Sequence, residues 1–204
     1  DEDWKRITKE SYNRHAQAYS LYTRIFRGKL QKWINEFARM CREGGLVLDV
    51  GCGSGRDVQY LMNKGLRVIG IDFSEKLIEI AKSKVPKARF FVMDFEDIQF
   101  PEKRFAGIWA NASLLHVPKA RLLPILKKLR TFLIDKGLLF LNFRVGEGER
   151  VTEEQRGDAT LSRFIAYYQP REVETMLQIA GFRDIKKEMD QIETGGWVSF
   201  FARR

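Results

Sequence analysis

Leu46 to Leu61 reads LVLDVGCGSGRDVQYL, and the reading of the whole chain starts there. A short apolar run, Leu46-Val47-Leu48, carries one acid, Asp49. Glycines follow at alternate positions, Gly51, Gly53 and Gly55, and then Val58, Leu61 and Met62 fall at helical spacing. A buried strand, a glycine turn and a helix start in that order open a βαβ unit. Glycine is needed where backbone bends sharply and comes close to a ligand, because a Cβ would collide. The helix behind it offers free N–H groups and a positive dipole end.

Spacing separates the two ligand classes that use such an opening. Dinucleotide folds ask for G-x-G-x-x-G. Here Arg56 stands where the third glycine belongs, and Gly55 comes one position early. The string D-x-G-x-G-x-G from Asp49 to Gly55 resembles the first motif of class I S-adenosylmethionine-dependent methyltransferases. That resemblance implies an α/β fold, a Rossmann-like sandwich. Its sheet has seven mostly parallel strands with the last antiparallel, helices on both faces and an N-terminal helical lid.

At 204 residues the chain is expected to form one domain, with a lid at 1–44, a cofactor-binding core at 45–145 and a substrate-side loop and hairpin at 146–204. The 44% apolar content fits a globular protein. No apolar run approaches about 18 residues, so no membrane span is expected. The charged start, DEDWKRITKE, resembles neither a signal nor a transit peptide, and it lacks an initiating Met. Cys41 and Cys52 have no metal-ligand spacing and read as reduced thiols of a cytoplasmic protein. With two histidines and no carboxylate–histidine cluster, no metal site is expected. The net charge of +9 is uneven: +4 over 1–45, 0 over 46–100, +7 over 101–145 and −2 over 146–204. Basic character favours anionic partners.

Residues 1–42 read as two helices. Trp4 to Tyr19 forms the first, and Phe26, Leu30, Trp33, Ile34 and Phe37 fall at helical spacing on the second. Tyr12, Ala16 and Tyr19 resemble the lid helix of small methyltransferases, whose aromatic residues close over cofactor or substrate. A second buried strand, Leu66 to Ile71, ends at Asp72, where a carboxylate can accept two bonds from a ribose diol. Ser74 reads as a helix N-cap. Arg89 to Met93 is a third strand, followed by Asp94, and Phe105 to Ala110 is a fourth, leading into Asn111, Ser113 and His116. The basic residues Lys119, Arg121, Lys127, Lys128 and Arg130 lie on the next helix. Lys136-Gly137 turns into a fifth strand, Leu138 to Phe143. Gly146 to Ala159 is polar, shows no periodic apolar face and reads as a functional or mobile loop. A helix near Arg171 to Ala180, a strand after Gly181-Phe182 and a last strand, Trp197 to Ala202, close the fold.

The resemblance runs from about Tyr12 to the end and implies roles residue by residue. Asp49 takes the methionine ammonium, with Gly51, Gly53 and Gly55 giving close backbone approach. Asp72 and Phe73 take the ribose end, Asp94 and Phe95 the adenine, and Ala110 and Asn111 lie beside the methyl-transfer site. The implied cofactor is S-adenosyl-L-methionine, with S-adenosyl-L-homocysteine as product. The acid usual before strand four is missing, since Ala106-Gly107 stands there. His116 is the candidate base, its ordinary pKa of about 6.5 suiting neutral pH, or else a histidine bonded to backbone. Tyr19, with His116, is a candidate catalytic residue, and Arg144, Arg163, Tyr167 and Tyr168 are candidates to line the acceptor pocket.

The expected activity is methyl transfer to a small-molecule acceptor. An RNA modifier is the alternative, on the basic charge and on Arg163, Tyr167 and Tyr168, which faintly resemble tRNA wobble-uridine methyltransferases. A non-catalytic S-adenosylmethionine-binding regulator and a dehydrogenase are further alternatives. No stretch specifies the acceptor or an oligomeric state.

Overall fold

The computed structural model describes residues 2–25, 29–41, 43–192 and 195–204. Phe26, placed on the second helix by its spacing, lies outside the described residues. Helices α1 (Asp3–Arg14), α2 (Ala16–Tyr22) and α3 (Leu30–Met40) precede β1 (Leu46–Val50). Then come α4 (Arg56–Asn63), β2 (Arg67–Asp72), α5 (Glu75–Lys84), β3 (Arg89–Val92), β4 (Phe105–Ala110), α6 (Lys119–Phe132) and β5 (Leu133–Arg144). The chain finishes with β6 (Glu149–Arg156), β7 (Ala159–Ala166), α7 (Pro170–Ile179), β8 (Arg183–Ile192) and β9 (Gly195–Arg203).

Seven strands form one sheet in the order β3-β2-β1-β4-β5-β9-β8. β1 to β5 are parallel, and β9 runs against both neighbours. The central strands are buried on both faces, which explains why they read as continuous apolar runs rather than alternating ones. Phe37, Val58, Leu61, Ile78 and Ala81 of α3, α4 and α5 pack one face. Leu122, Leu126, Leu129 and Leu177 of α6 and α7 pack the other. Trp109 and Phe140 stack between adjacent strands with ring centroids 4.0 Å apart. After β1 the chain winds outward through β2 and β3, then returns to β4 on the other side of β1. The ends of β1 and β4 thus flank a topological switch point, where open α/β sheets leave a crevice.

Three sequence expectations change. The first helix is two, broken at His15, whose backbone lies at φ −110° and ψ 20°. The break lets the two parts pack against different neighbours. Thr8 and Ser11 of α1 accept the backbone N–H groups of Phe164 and Ser162, each at 3.0 Å, and so satisfy donors of β7 that β6 does not. Ala16 packs into a small cluster with Leu77 of α5.

The expected loop at Gly146–Ala159 is largely strand β6, paired along its length with β7 through a two-residue turn, Gly157-Asp158. Gly157 sits at φ +64°, as a tight hairpin turn starting on glycine requires. Thr152, Glu154 and Arg156 alternate toward the partly buried face. The period of two is therefore present, written in polar residues because that face meets a polar cavity. Finally, β5 begins at Leu133 and not at Leu138. Leu133 pairs with Phe105 and Leu138 with Gly107, and the Lys136-Gly137 turn is the excursion between them.

Among the described residues no helix is long and apolar enough to cross a membrane.

Candidate active site

The loop after β1 is built by its glycines. Gly51, Gly53 and Gly55 sit at φ +77°, +53° and +83°, a region that other residues enter at a cost. A Cβ on Gly51 would stand 2.3 Å from that of Ser113, and one on Gly55 3.2 Å from that of Ala81. Gly55 thus serves packing and the start of α4, whereas at Gly53 the nearest atom to such a Cβ is the Tyr19 ring, at 3.9 Å. The loop is pinned by Gly51 and Cys52, which donate to the Ile71 carbonyl at 2.8 and 2.9 Å.

Gly51, Gly53, Asn111, Tyr19 and His116 share one cavity of about 550 Å³, within the range of small-molecule sites. Asp49, Gly55, Asp72, Phe73, Asp94, Phe95 and Ala110 lie outside its wall. Asp49 is buried, and its Oδ2 has no hydrogen-bond partner. Burial first, then the charges of Asp57 and Asp72, push this carboxyl well above the usual carboxylate range, against Arg56. Asp72 accepts from Gly53 N at 3.0 Å and Ser74 N at 2.9 Å, so it staples the loop to the end of β2. Burial raises its pKa to about 6 in spite of the backbone bonds. Ser74 caps α5 by accepting from Leu77 N.

The end expected to take adenine is covered. Lys5 of α1 reaches Asp94 at 3.1 Å and Glu96 at 2.6 Å. The rings of Phe73 and Phe95 stack with centroids 5.9 Å apart, too close for a third ring between them.

A polar network next to the glycine loop joins Asn111 to Asp57 and Asn142, two residues that the sequence pattern does not mark as site residues. Asp57, in the first turn of α4, pairs with Arg56 Nε at 2.7 Å and accepts from Trp109 Nε1 at 3.0 Å and Asn111 Nδ2 at 2.9 Å. Burial opposes its ionisation, but Arg56 and these donors outweigh it and hold the carboxyl below its ordinary range. Asn142 donates to Asn111 Oδ1 at 2.9 Å and accepts from Ala112 N at 2.5 Å. It thereby holds Ala112 at φ +50°, a strained backbone position on the cavity wall. One signal was available: Asn142 is the lone polar residue inside the apolar run Leu138 to Phe143.

His116 is buried, and its Nδ1 lies 2.7 Å from the Phe164 carbonyl. A carbonyl only accepts, so Nδ1 carries the proton and Nε2 accepts from the Tyr12 hydroxyl at 3.0 Å. The Tyr12 oxygen in turn accepts from Arg163 Nη1 at 2.9 Å. Burial, followed by the charge of Arg163, pulls His116 down to about 3. The imidazole is neutral, with both nitrogens engaged inside the protein. Tyr19 packs edge-on against Tyr12, centroids 5.0 Å apart, and burial raises its phenol pKa.

Arg144 and Arg163 line the cavity as expected, joined by Arg156. Tyr167 and Tyr168 do not line it. Tyr168 packs against Phe143, centroids 4.5 Å apart, and Tyr167 lies under Arg150 at 4.2 Å. Both cysteines are buried free thiols. Among the described residues no group of three or more His, Cys, Asp or Glu side chains is placed to hold a metal ion.

Residues 47–137 match a family model described as a methyltransferase domain. The chain is 28% identical over 114 residues to a malonyl-[acyl-carrier protein] O-methyltransferase of Priestia megaterium, covering 53% of this chain and 41% of that protein. It is 38% identical over 74 residues to a trans-aconitate 2-methyltransferase of an Enterobacter species, covering 35% of this chain and 29% of that protein. The matched stretches thus span less than half the length of these relatives. Among solved structures, magnesium protoporphyrin IX methyltransferase from Synechocystis superposes with a TM-score of 0.74 over 98% of this chain and 96% of that one, at 18% identity. This last likeness is one of fold. The strand order and the glycine loop at the switch point agree with these matches, so residues 47–137 are similar to a methyltransferase domain and the chain has the fold of such enzymes.

Proposed function

We propose that the protein transfers a methyl group from S-adenosylmethionine to a small-molecule acceptor. The observation that carries this reading is the Asp49 carboxylate. It is buried at the foot of a glycine loop that opens into the switch-point cavity, and one of its oxygens lacks a partner. An orphaned buried acceptor is costly, and the ammonium of a methionine moiety fits it in charge and donor capacity. Bound, the cofactor supplies a methyl group already activated on a sulfonium, so the reaction asks chiefly for alignment.

The chain's own residues provide that alignment. Asp49 holds the ammonium, while Gly51 and Gly53 let the backbone approach. Asp72 and Phe73 receive the ribose, Asp94 and Phe95 the adenine once α1 and the Phe73–Phe95 stack give way. Asp57, Asn111 and Asn142 fix the far lip of the crevice through Ala112. His116 acts here as a positioning residue. At neutral pH it holds Tyr12, and through it Arg163, at the cavity wall. Acting as a base would require Tyr12 to leave its Nε2. Tyr19 closes the cavity over Gly53. The relatives, a malonyl-[acyl-carrier protein] O-methyltransferase and a trans-aconitate 2-methyltransferase, are in keeping with an acceptor group that is a small acid and not a nucleic acid.

The basic residues of α6 lend the RNA reading little support. Lys119 pairs with Glu172 at 3.0 Å, Arg121 with Glu96 at 2.9 Å, and Arg130 donates to the Gly181 carbonyl. Thermal unfolding tests the proposal: S-adenosylhomocysteine is expected to raise the Tm, increasingly with its concentration above Kd, and NADH to leave it unchanged. The reverse pattern would make the protein a nicotinamide binder. Ligand binding with no transfer to any small acceptor would leave a sensor.

A further inference from the structure

One wall of the cavity, built from the end of β5 and the β6–β7 hairpin, carries more positive charge than its surroundings neutralise. Arg144, Arg156 and Arg163 all line the cavity and all converge on the single carboxylate of Glu154. Arg144 grips it with both terminal nitrogens, Nη2 at 2.8 Å, and Arg163 Nη2 lies at 2.6 Å. The four side chains are 6–16% exposed. Arg163 has one further partner, the neutral Tyr12 hydroxyl.

Three guanidinium groups against one carboxylate leave two positive charges in a largely desolvated place. The other cavity charges do not offset them: Asp57 is matched by Arg56 at 2.7 Å, and Asp190 lies beside Lys29. Burying unmatched charge is expensive, and an ion cluster serving stability alone gains nothing from the excess.

The unsatisfied donors point the same way. Arg144 Nε, Arg163 Nε and Trp197 Nε1 are buried with no hydrogen-bond partner. Trp197 lines the cavity, and the Arg144 guanidinium lies 5.5 Å from its ring centre. All three orphaned groups are N–H donors, so what completes them is an acceptor. Planar guanidinium forks match oxyanions in two-point contact.

We infer that the methyl acceptor carries an oxyanion, carboxylate or phosphate, seated against Arg144, Arg156 and Arg163 with Glu154 as the internal anion that keeps the forks aligned. This assignment rests on the methyl-transfer reading for what the site does, and on the arginine wall alone for what it binds. Glu154 and the acceptor compete for the same donors. Removing the Glu154 charge therefore favours the ligand, and removing an arginine disfavours it.

The test is calorimetric titration of the protein saturated with S-adenosylhomocysteine, using glutarate, benzoate and phenyl phosphate beside glutaramide, benzamide and phenol. The acids are expected to bind at least about tenfold tighter than their uncharged counterparts, the scale of one hydrogen bond to a charged group. Arg156→Gln is expected to weaken the acids by a similar factor, and Glu154→Gln to tighten them severalfold. A preference for phenyl phosphate over both carboxylates names a phosphate as the group, and the opposite preference a carboxylate. Equal binding of acids and amides, or no binding of the acids, would overturn the assignment. So would a loss of acid binding in Glu154→Gln equal to that in Arg156→Gln, which would mark the cluster as purely structural. Circular dichroism and the Tm of both variants confirm that they are folded. Absence of S-adenosylhomocysteine binding would sink the methyl-transfer reading separately, because the same titrations on protein without it still report on the arginine wall.

Discussion

The Tyr12 hydroxyl donates to His116 Nε2 across 3.0 Å, joining the first helix of the chain to the segment after the fourth strand. The same oxygen accepts from Arg163, so lid, core and hairpin meet at one atom. This makes His116 a neutral, engaged side chain whose titration has a readable sign.

His116 is held near 3 when folded, against about 6.5 when unfolded. Below pH 6.5 the unfolded chain takes up a proton that the folded one refuses, so stability falls as pH falls, by roughly 1.4 kcal/mol per unit. Asp72 works in the opposite sense. Its folded pKa of about 6 lies above the usual 3.8, so the folded chain gains the proton first and stability rises as pH falls through 6. The two slopes largely cancel between about pH 4 and 6. His116→Gln removes one of them. Urea unfolding at pH 7 and pH 5 is expected to show the variant gaining stability on acidification relative to the parent, whatever its stability at pH 7. Parallel pH profiles would mean that His116 titrates normally in the fold.

Asn142→Ala leaves the partly buried N–H of Ala112 without its acceptor and frees a residue held at φ +50°. The expected cost is about 1–3 kcal/mol of unfolding free energy. S-adenosylhomocysteine affinity is expected to fall as the crevice lip relaxes. A variant with parental stability and affinity would show that the Asn111–Asn142 bond plays no part in shaping the site.

Lys5→Ala opens the clamp on Asp94 and Glu96. The ion pairs are partly exposed, so the stability change is expected to stay below about 1 kcal/mol. The rate of S-adenosylhomocysteine binding, followed by stopped-flow tryptophan fluorescence, is expected to rise severalfold, because α1 covers the Phe73–Phe95 end. Unchanged association would mean that the ligand enters by a route that leaves α1 in place.

The features legible in the sequence are those where one physical demand dominates a short stretch. Leu46 to Gly55 could be read because a doubly buried strand favours apolar residues, which makes the single acid Asp49 stand out, and a left-handed turn selects glycine. Asp72 was legible for its place at a strand end, although the structure shows it bracing Gly53 more directly than facing the cavity. Strand β6 escaped because its inward positions face ions and cavity, so that its alternation is carried by Thr152, Glu154 and Arg156. Asp57 escaped because an acid in the first turn of a helix is ordinarily explained by the helix dipole alone. Its partners, Trp109 and Asn111, lie more than fifty positions further along the chain. The pairing of Tyr12 with His116 spans 104 positions, and no local pattern announces it.

Asp49→Asn separates stability from binding. The native carboxyl is buried beside Asp57 and Asp72 with one oxygen unpartnered, so its neutral isostere is expected to unfold at a higher temperature than the parent. A lower Tm would mean that the carboxylate is satisfied within the fold and is not waiting for a ligand.

The most direct test of the central claim is calorimetric titration of S-adenosylhomocysteine into the parent protein and Asp49→Asn. The account predicts one site per chain in the parent and an affinity loss of about 1.5–3 kcal/mol in the variant, the worth of a hydrogen bond to a charged group. No binding by the parent, or equal binding by both, would contradict it.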